Sequence, residues 1–345
     1  MHPLVTRLRG TVLPAVVTPM SADGVVAYDD LAAYAQSLVN PSVGGVAVWA
    51  HTGRGLYLSQ ADRAKVLETW RQATDLPIVA GVGVPKSPAT GSASGGGTSS
   101  LATSGVGAAG GVSAAGVSGA LALREAVDAT VEMAVAAAAG GADAVMVYPL
   151  AALNELPDGH AQAIALHERV AAESGLPLVG FYLHGEAGGY PYSPELIRDL
   201  LALDAMLGVK TATLDRAIGC QDAIWAGRDT GKLLITGEDR MYGPSFMWGA
   251  DTALVGIASA QVELSAAVLR AWTAGDHAEF LAASDRLDRF AAATFYAPIE
   301  GYVQRMLWAA EWEGLIPPSS AHDPYGPNLP PAERDQVIHC LEQLH

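Results

Sequence analysis

Eight short apolar runs, each followed by a stretch with helical spacing, set the main limit on what this chain can fold into. They are TVLPAVVTP (11–19), VGGVAVWA (43–50), PIVAGVG (77–83), DAVMVYP (143–149), PLVGFYL (177–183), MLGVK (206–210), KLLITG (232–237) and TALVGIA (252–258). Each is near-continuously apolar and often β-branched, the pattern of strands covered on both faces. Between them lie amphipathic stretches such as YDDLAAYAQSLVN (28–40), SQADRAKVLETWRQAT (59–74) and SPELIRDLLAL (193–203). Ser59 and Ser193 read as N-caps, each with an acidic residue soon after. Eight such units predict an α/β chain folded as a closed (β/α)8 barrel, a TIM barrel. An open doubly wound sheet is the alternative. Its G-x-G-x-x-G fingerprint is missing after the first strand, which ends in TPM. The barrel is expected over 1–261, with 262–345 as additional C-terminal helices.

Residues 86–123 break the pattern. They are almost all Gly, Ala, Ser, Thr and Val, with no acidic or aromatic residue. Such a segment has little to bury, so a flexible insertion is expected, emerging after the third strand on the mouth face and better suited to disorder than to a lid. Elsewhere the composition suits a large core, being 50% hydrophobic and 16% charged. The net charge of −16 disfavours nucleic acid and anionic lipid as partners. No apolar run reaches the roughly 18 residues of a membrane helix, and the first twenty residues lack a signal-peptide pattern, so a cytoplasmic location is expected. Two cysteines, Cys220 and Cys340, make neither a disulfide framework nor a cysteine-rich zinc site. No cofactor is indicated.

In a barrel of this kind chemistry sits at the C-terminal strand ends. There the sequence places Thr18, His51-Thr52-Gly53-Arg54, Tyr148, Tyr182 and His184, Lys210, Glu238-Asp239 and Gly256. Of only four lysines, Lys65 falls mid-helix, Lys86 opens the insertion and Lys232 starts a strand; Lys210 alone ends one. Partial desolvation there lowers an ammonium pKa and frees an amine for Schiff-base chemistry with a carbonyl. A structural lysine paired with Glu238 is the competing reading. Thr52 and Gly53 can hold a carboxylate through hydroxyl and amide donors, or can simply form a turn. His51, Tyr148 and Tyr182 are candidate acid–base groups, or packing residues with one hydrogen bond each. His184, Glu186 and Glu238 offer few metal ligands at no specific spacing. Trp225, Trp272, Trp308 and Trp312 read as packing residues.

The pieces, in order, resemble the dihydrodipicolinate synthase / N-acetylneuraminate lyase family of Schiff-base aldolases and lyases. They are VVTPM (16–20), HTGRGLYLS (51–59) for the family's G-T-T-G-E-x-x-x-L, PIVAGVG, GADAVMVYP (141–149), FYLHGEAGG (181–189) for Y-N-x-P, GVKTAT (208–213) for G-x-K-x-x, and ITGEDRMY (235–242) for S-G-D-D. The resemblance implies a Schiff base between Lys210 and a 2-keto acid such as pyruvate, with Thr52 and Gly53 on its carboxylate. It also implies aldol, lyase or dehydratase chemistry and a homo-oligomer, tetramer or dimer.

Departures from the family pattern shape the expectation further. A proton-relaying tyrosine after the fourth strand is replaced by Leu150, and the first hydroxyl of the carboxylate-binding pair by His51. Arg54 stands for an acidic residue, while Leu183 and Gly185 replace the asparagine and proline of the fifth-strand segment. Leucine relays no proton, so His51, Tyr148 or His184 is expected to substitute. His51 and Arg54 together predict a more basic pocket and an anionic substrate other than the one a true dihydrodipicolinate synthase uses. The alternatives are a family member that binds a small acid without turnover, and a metal-dependent barrel hydrolase using His184, Glu186 and Glu238.

Overall fold

A computed structural model describes residues 2–86 and 114–345. All eight predicted strands form: β1 (Val12–Pro14), β2 (Val46–Val48), β3 (Ile78–Val82), β4 (Ala144–Val147), β5 (Leu178–Leu183), β6 (Met206–Ala212), β7 (Leu233–Thr236) and β8 (Thr252–Val255). They are parallel, in the order β1-β8-β7-β6-β5-β4-β3-β2. Bridges Val12–Val43 and Ala15–Ala47 join the two ends and close the (β/α)8 barrel. Every residue of β1 to β5, β7 and β8 is buried, which is why these runs read as continuous rather than alternating.

The two predicted N-caps are in place. Ser59 Oγ accepts from the Asp62 N–H at 3.0 Å and Ser193 Oγ from the Leu196 N–H at 3.1 Å. Most of the expected flexible insertion, residues 87–113, lies outside the described residues. Its C-terminal end corrects the expectation of a loop, because residues 114–123 are the first turns of the helix Ala114–Ala139. Alanine-rich sequence has high helix propensity, and Leu123, Ala126 and Val127 pack on the core.

The helix Val262–Ala274 packs against β1, so position 261/262 falls between the last strand and the helix that covers it. Beyond it, helices His277–Thr294, Tyr302–Trp312 and Pro331–Leu344 share one hydrophobic core with the barrel through Phe290, Met306, Leu307, Val337 and Leu341. Arg305 ties these helices together from a fully buried position. Its Nε donates to Glu333 at 2.8 Å, its Nη1 donates to the Thr294 and Tyr296 carbonyls at 3.2 and 2.9 Å, and its guanidinium lies 3.7 Å from the Tyr296 ring centroid. Arg305→Met leaves a partly buried carboxylate and two carbonyls unpaired. The expected loss is about 3–5 kcal/mol, read as a lower urea midpoint at unchanged slope.

Candidate active site

The face of β6 that carries Lys210 is open because its neighbours are small. A Cβ on Gly208 would come 2.1 Å from the Leu233 carbonyl oxygen, and one on Gly237 would come 2.2 Å from Lys210 Cε and 2.3 Å from the Thr211 oxygen. These glycines let β7 approach and leave a channel through which the lysine side chain runs. Register pairs Lys210 with Phe181 on β5, and Nζ lies 4.3 Å from the Phe181 ring centroid. Lys210 is 6% exposed. It lines a pocket of about 60 Å³ with His51, Thr52, Phe181, His184, Glu238, Asp239, Gly256 and Tyr302.

Burial drives the Lys210 pKa well below its ordinary 10.5, and the charges of Asp239 and Glu238 only partly oppose that shift. The carboxylates respond in the other direction. Burial raises Asp239, although the Ile257 N–H and Lys210 favour its ionised form; Ile257 donates to Oδ1 at 2.8 Å. Burial also raises Glu238, against a 2.8 Å hydrogen bond from the Thr213 N–H. Among the described residues no hydrogen bond or ion pair joins Lys210 to Glu238, so the reading of a simply paired lysine is not supported, and Glu238 acts on it through charge alone.

Opposite the lysine a polar wall joins β2 to the C-terminal helices. The Tyr302 hydroxyl lies 2.9 Å from His51 Nδ1 and 3.1 Å from Thr52 Oγ1. His51 Nε2 lies 3.1 Å from Glu300 Oε1. Burial lowers the His51 pKa despite Glu300. Burial opposes ionisation of Glu300, but His51 and Arg54 outweigh it and hold this carboxyl far below the usual range. Gly256 makes room beneath the wall, since a Cβ there would come 2.8 Å from Thr52 Oγ1.

The other residues singled out from the sequence separate into distinct places. Thr18 lies behind the wall, its hydroxyl donating to the Gly53 carbonyl at 2.8 Å. The Gly53 N–H donates to the Ala50 carbonyl at 3.0 Å, whereas among the described residues no acceptor meets the Thr52 N–H. Arg54 does not make the pocket basic. It is buried outside the Lys210 pocket, and its Nη1 donates to Glu300 at 2.7 Å while its Nη2 donates to Asp323 at 2.7 Å. Tyr148 packs edge-on against Phe181 at 5.3 Å and lines neighbouring cavities, and among the described residues its buried hydroxyl has no hydrogen-bond partner. Tyr182 turns away from the mouth: side chains alternate along β5, so Phe181 and Leu183 face the pocket while Tyr182 stacks on Tyr192 at 5.7 Å. His184 lines the pocket, with Nδ1 3.1 Å from Glu186. Among the described residues no group of three His, Cys, Asp or Glu side chains is placed to hold a metal ion. No helix among them is long and apolar enough to cross a membrane.

Three residues of the site escaped the sequence reading. Phe181 was hidden by the tyrosine beside it, although strict alternation from Lys210's partner strand would have found it. Tyr302 and Glu300 lie some 90 residues beyond the lysine in a segment read only as extra helix, and no local signal marks them.

The model of the Dihydrodipicolinate synthetase family matches residues 8–110 and 107–344. The chain belongs to that family. Curated relatives include a 4-hydroxy-tetrahydrodipicolinate synthase of Thermosynechococcus vestitus, 27% identical over 91% of this chain and 93% of that protein. Another, from Bifidobacterium animalis subsp. lactis, is 24% identical over 83% and 79%. Among solved structures, the Ruminococcus gnavus sialic acid aldolase superposes with a TM-score of 0.74 at 17% identity, covering 98% of this chain and 97% of that one. A prophage protein of the dihydrodipicolinic acid synthase family from E. coli K12, solved in complex with pyruvate, gives 0.74 at 20% identity over 97% and 98%.

Within this site Gly237→Ala is the sharpest steric probe. The added methyl collides with the lysine stem, so labelling of the Lys210 amine by a small amine-reactive reagent is expected to slow by about 10²-fold while the circular dichroism spectrum is unchanged. Labelling at the parent rate would show that the lysine does not need this channel.

Proposed function

We propose that the protein is a class I, Schiff-base-forming lyase or aldolase, or a dehydratase, acting on a pyruvate-type 2-keto acid, and that it is not a true dihydrodipicolinate synthase. The observation that carries this reading is a buried amine of lowered pKa near the C-terminal end of β6, in a small pocket that Thr52 and Tyr302 also line. Such an amine attacks the keto carbon. The carbinolamine loses water, and the resulting iminium withdraws electrons from the adjacent carbon, where a C–C or C–O bond can break or form. The Thr52 N–H suits the substrate carboxylate, and Arg240 also lines the pocket.

The names of similar proteins agree with the reaction class. One structural neighbour is described as a sialic acid aldolase with a catalytic lysine mutant, and another holds pyruvate. Against synthase activity stand Leu150 after the fourth strand, Phe181 with no proton to offer beside the lysine, and Tyr182 turned outward. The same features favour a second reading, a small-acid binding protein; the retained, desolvated Lys210 argues against it.

Borohydride reduction in the presence of pyruvate, 2-ketobutyrate or larger 2-keto acids should add the reduced adduct mass at Lys210, and Lys210→Ala should abolish it. Neutral ketones should compete poorly. Absence of any adduct across the panel sinks the enzymatic reading, while an adduct without turnover of any acid supports the binding role.

Trapping should also rise with pH and reach half its maximum well below pH 10.5, because the lowered pKa frees the amine early. Asp239→Asn removes a charge that favours the ammonium, so its midpoint should move lower still. A midpoint at the value of an exposed lysine would contradict the desolvated site.

A further inference from the structure

We propose that Tyr302 is the acid–base residue of the Lys210 pocket, with His51 and Glu300 as the positioning residues behind it. The inference rests on the Schiff-base reading above and assigns the proton transfers that reading leaves without a residue.

Hydrogen-bond directions follow from elementary chemistry. Arg54 Nη1 donates to Glu300 Oε2 at 2.7 Å, which keeps this side chain a carboxylate. A carboxylate only accepts, so the proton between Glu300 Oε1 and His51 Nε2, 3.1 Å apart, belongs to the imidazole. A neutral imidazole protonated at Nε2 presents Nδ1 as an acceptor. The Tyr302 hydroxyl, 2.9 Å away, therefore donates to Nδ1. Its oxygen accepts from Thr52 Oγ1 at 3.1 Å and keeps a second lone pair for the substrate. Carboxylate, imidazole and hydroxyl stand in the order that activates a hydroxyl as a base.

Packing fixes the phenol. Its ring stacks on Phe295 at 4.7 Å and on His51 at 5.8 Å, and both Tyr302 and Lys210 line the same pocket. A tyrosine present only for packing needs one hydrogen-bond partner; this one has two, both lining the pocket that holds the amine.

The step balances without a co-reactant. A proton leaves the carbon next to the iminium and joins the Tyr302 oxygen as the tyrosine's own proton passes to His51 Nδ1. The C–H electron pair becomes the enamine double bond, and the C=N pair moves onto nitrogen. The imidazolium so formed is held by ionised Glu300. Reversal of the step protonates the carbon.

The test follows deuterium entering C3 of pyruvate and of 2-ketobutyrate in D₂O by NMR, alongside borohydride trapping. Tyr302→Phe retains the ring and should trap within about threefold of the parent while losing about 10²–10⁴ in exchange. His51→Gln should lower the exchange rate constant with the keto-acid concentration for half-saturation unchanged. Tyr302→Phe exchanging within about threefold of the parent overturns the proposal, as does an equal loss of trapping and exchange, which would mark Tyr302 as a builder of the pocket. Absence of a Lys210 adduct in the parent overturns the Schiff-base reading itself, and is seen separately from the variant's exchange rate.

Discussion

The site depends on the opposition between burial and charge at Lys210. Removing the amine from water favours its neutral form; Asp239 and Glu238 pull the other way through space without bonding to it. A direct ion pair would have favoured the ammonium form. The barrel maintains the distance by building the carboxylates into backbone contacts. Glu238 is held by the Thr213 N–H, Asp239 by the Ile257 N–H, and each is thereby occupied on its own side of β7. Phe181 fills the remaining side with an aromatic face that excludes water and offers no proton.

A second constraint runs through Arg54. Buried guanidinium needs anionic partners, and both come from the C-terminal segment: Glu300, which also meets His51, and the fully buried Asp323. One ion cluster therefore docks the loop after β2 onto the helices beyond the barrel and aligns the histidine with them. The arginine that looked like a substrate anchor is committed to assembly, and Arg240 lines the pocket in its stead.

The barrel was legible because its signal is local. Eight apolar runs with capped helices between them survive any reading of period, and Ser59 and Ser193 cap as their spacing demands. Lys210 was legible for the same reason, as a lone cation closing an apolar run. What failed was whatever depends on facing. Tyr182 and Phe181 differ by one position, and one position in a strand is the opposite face. Tyr302, Glu300 and Asp323 reach the mouth only through packing of distant helices, and sequence separation erases that information. Arg54 shows the same limit, since its charge could be counted from the sequence but its two counterions could not.

The wall opposite the amine comes from the segment around residues 300 and 302, so the pocket is a joint product of the barrel and of the helices beyond it. The eight strands carry the lysine, but the phenol reaches the mouth only where that segment docks, and Arg305 holds it there. A change far from the mouth, in the packing of these helices, is therefore transmitted to the cavity through Tyr302 without touching the barrel.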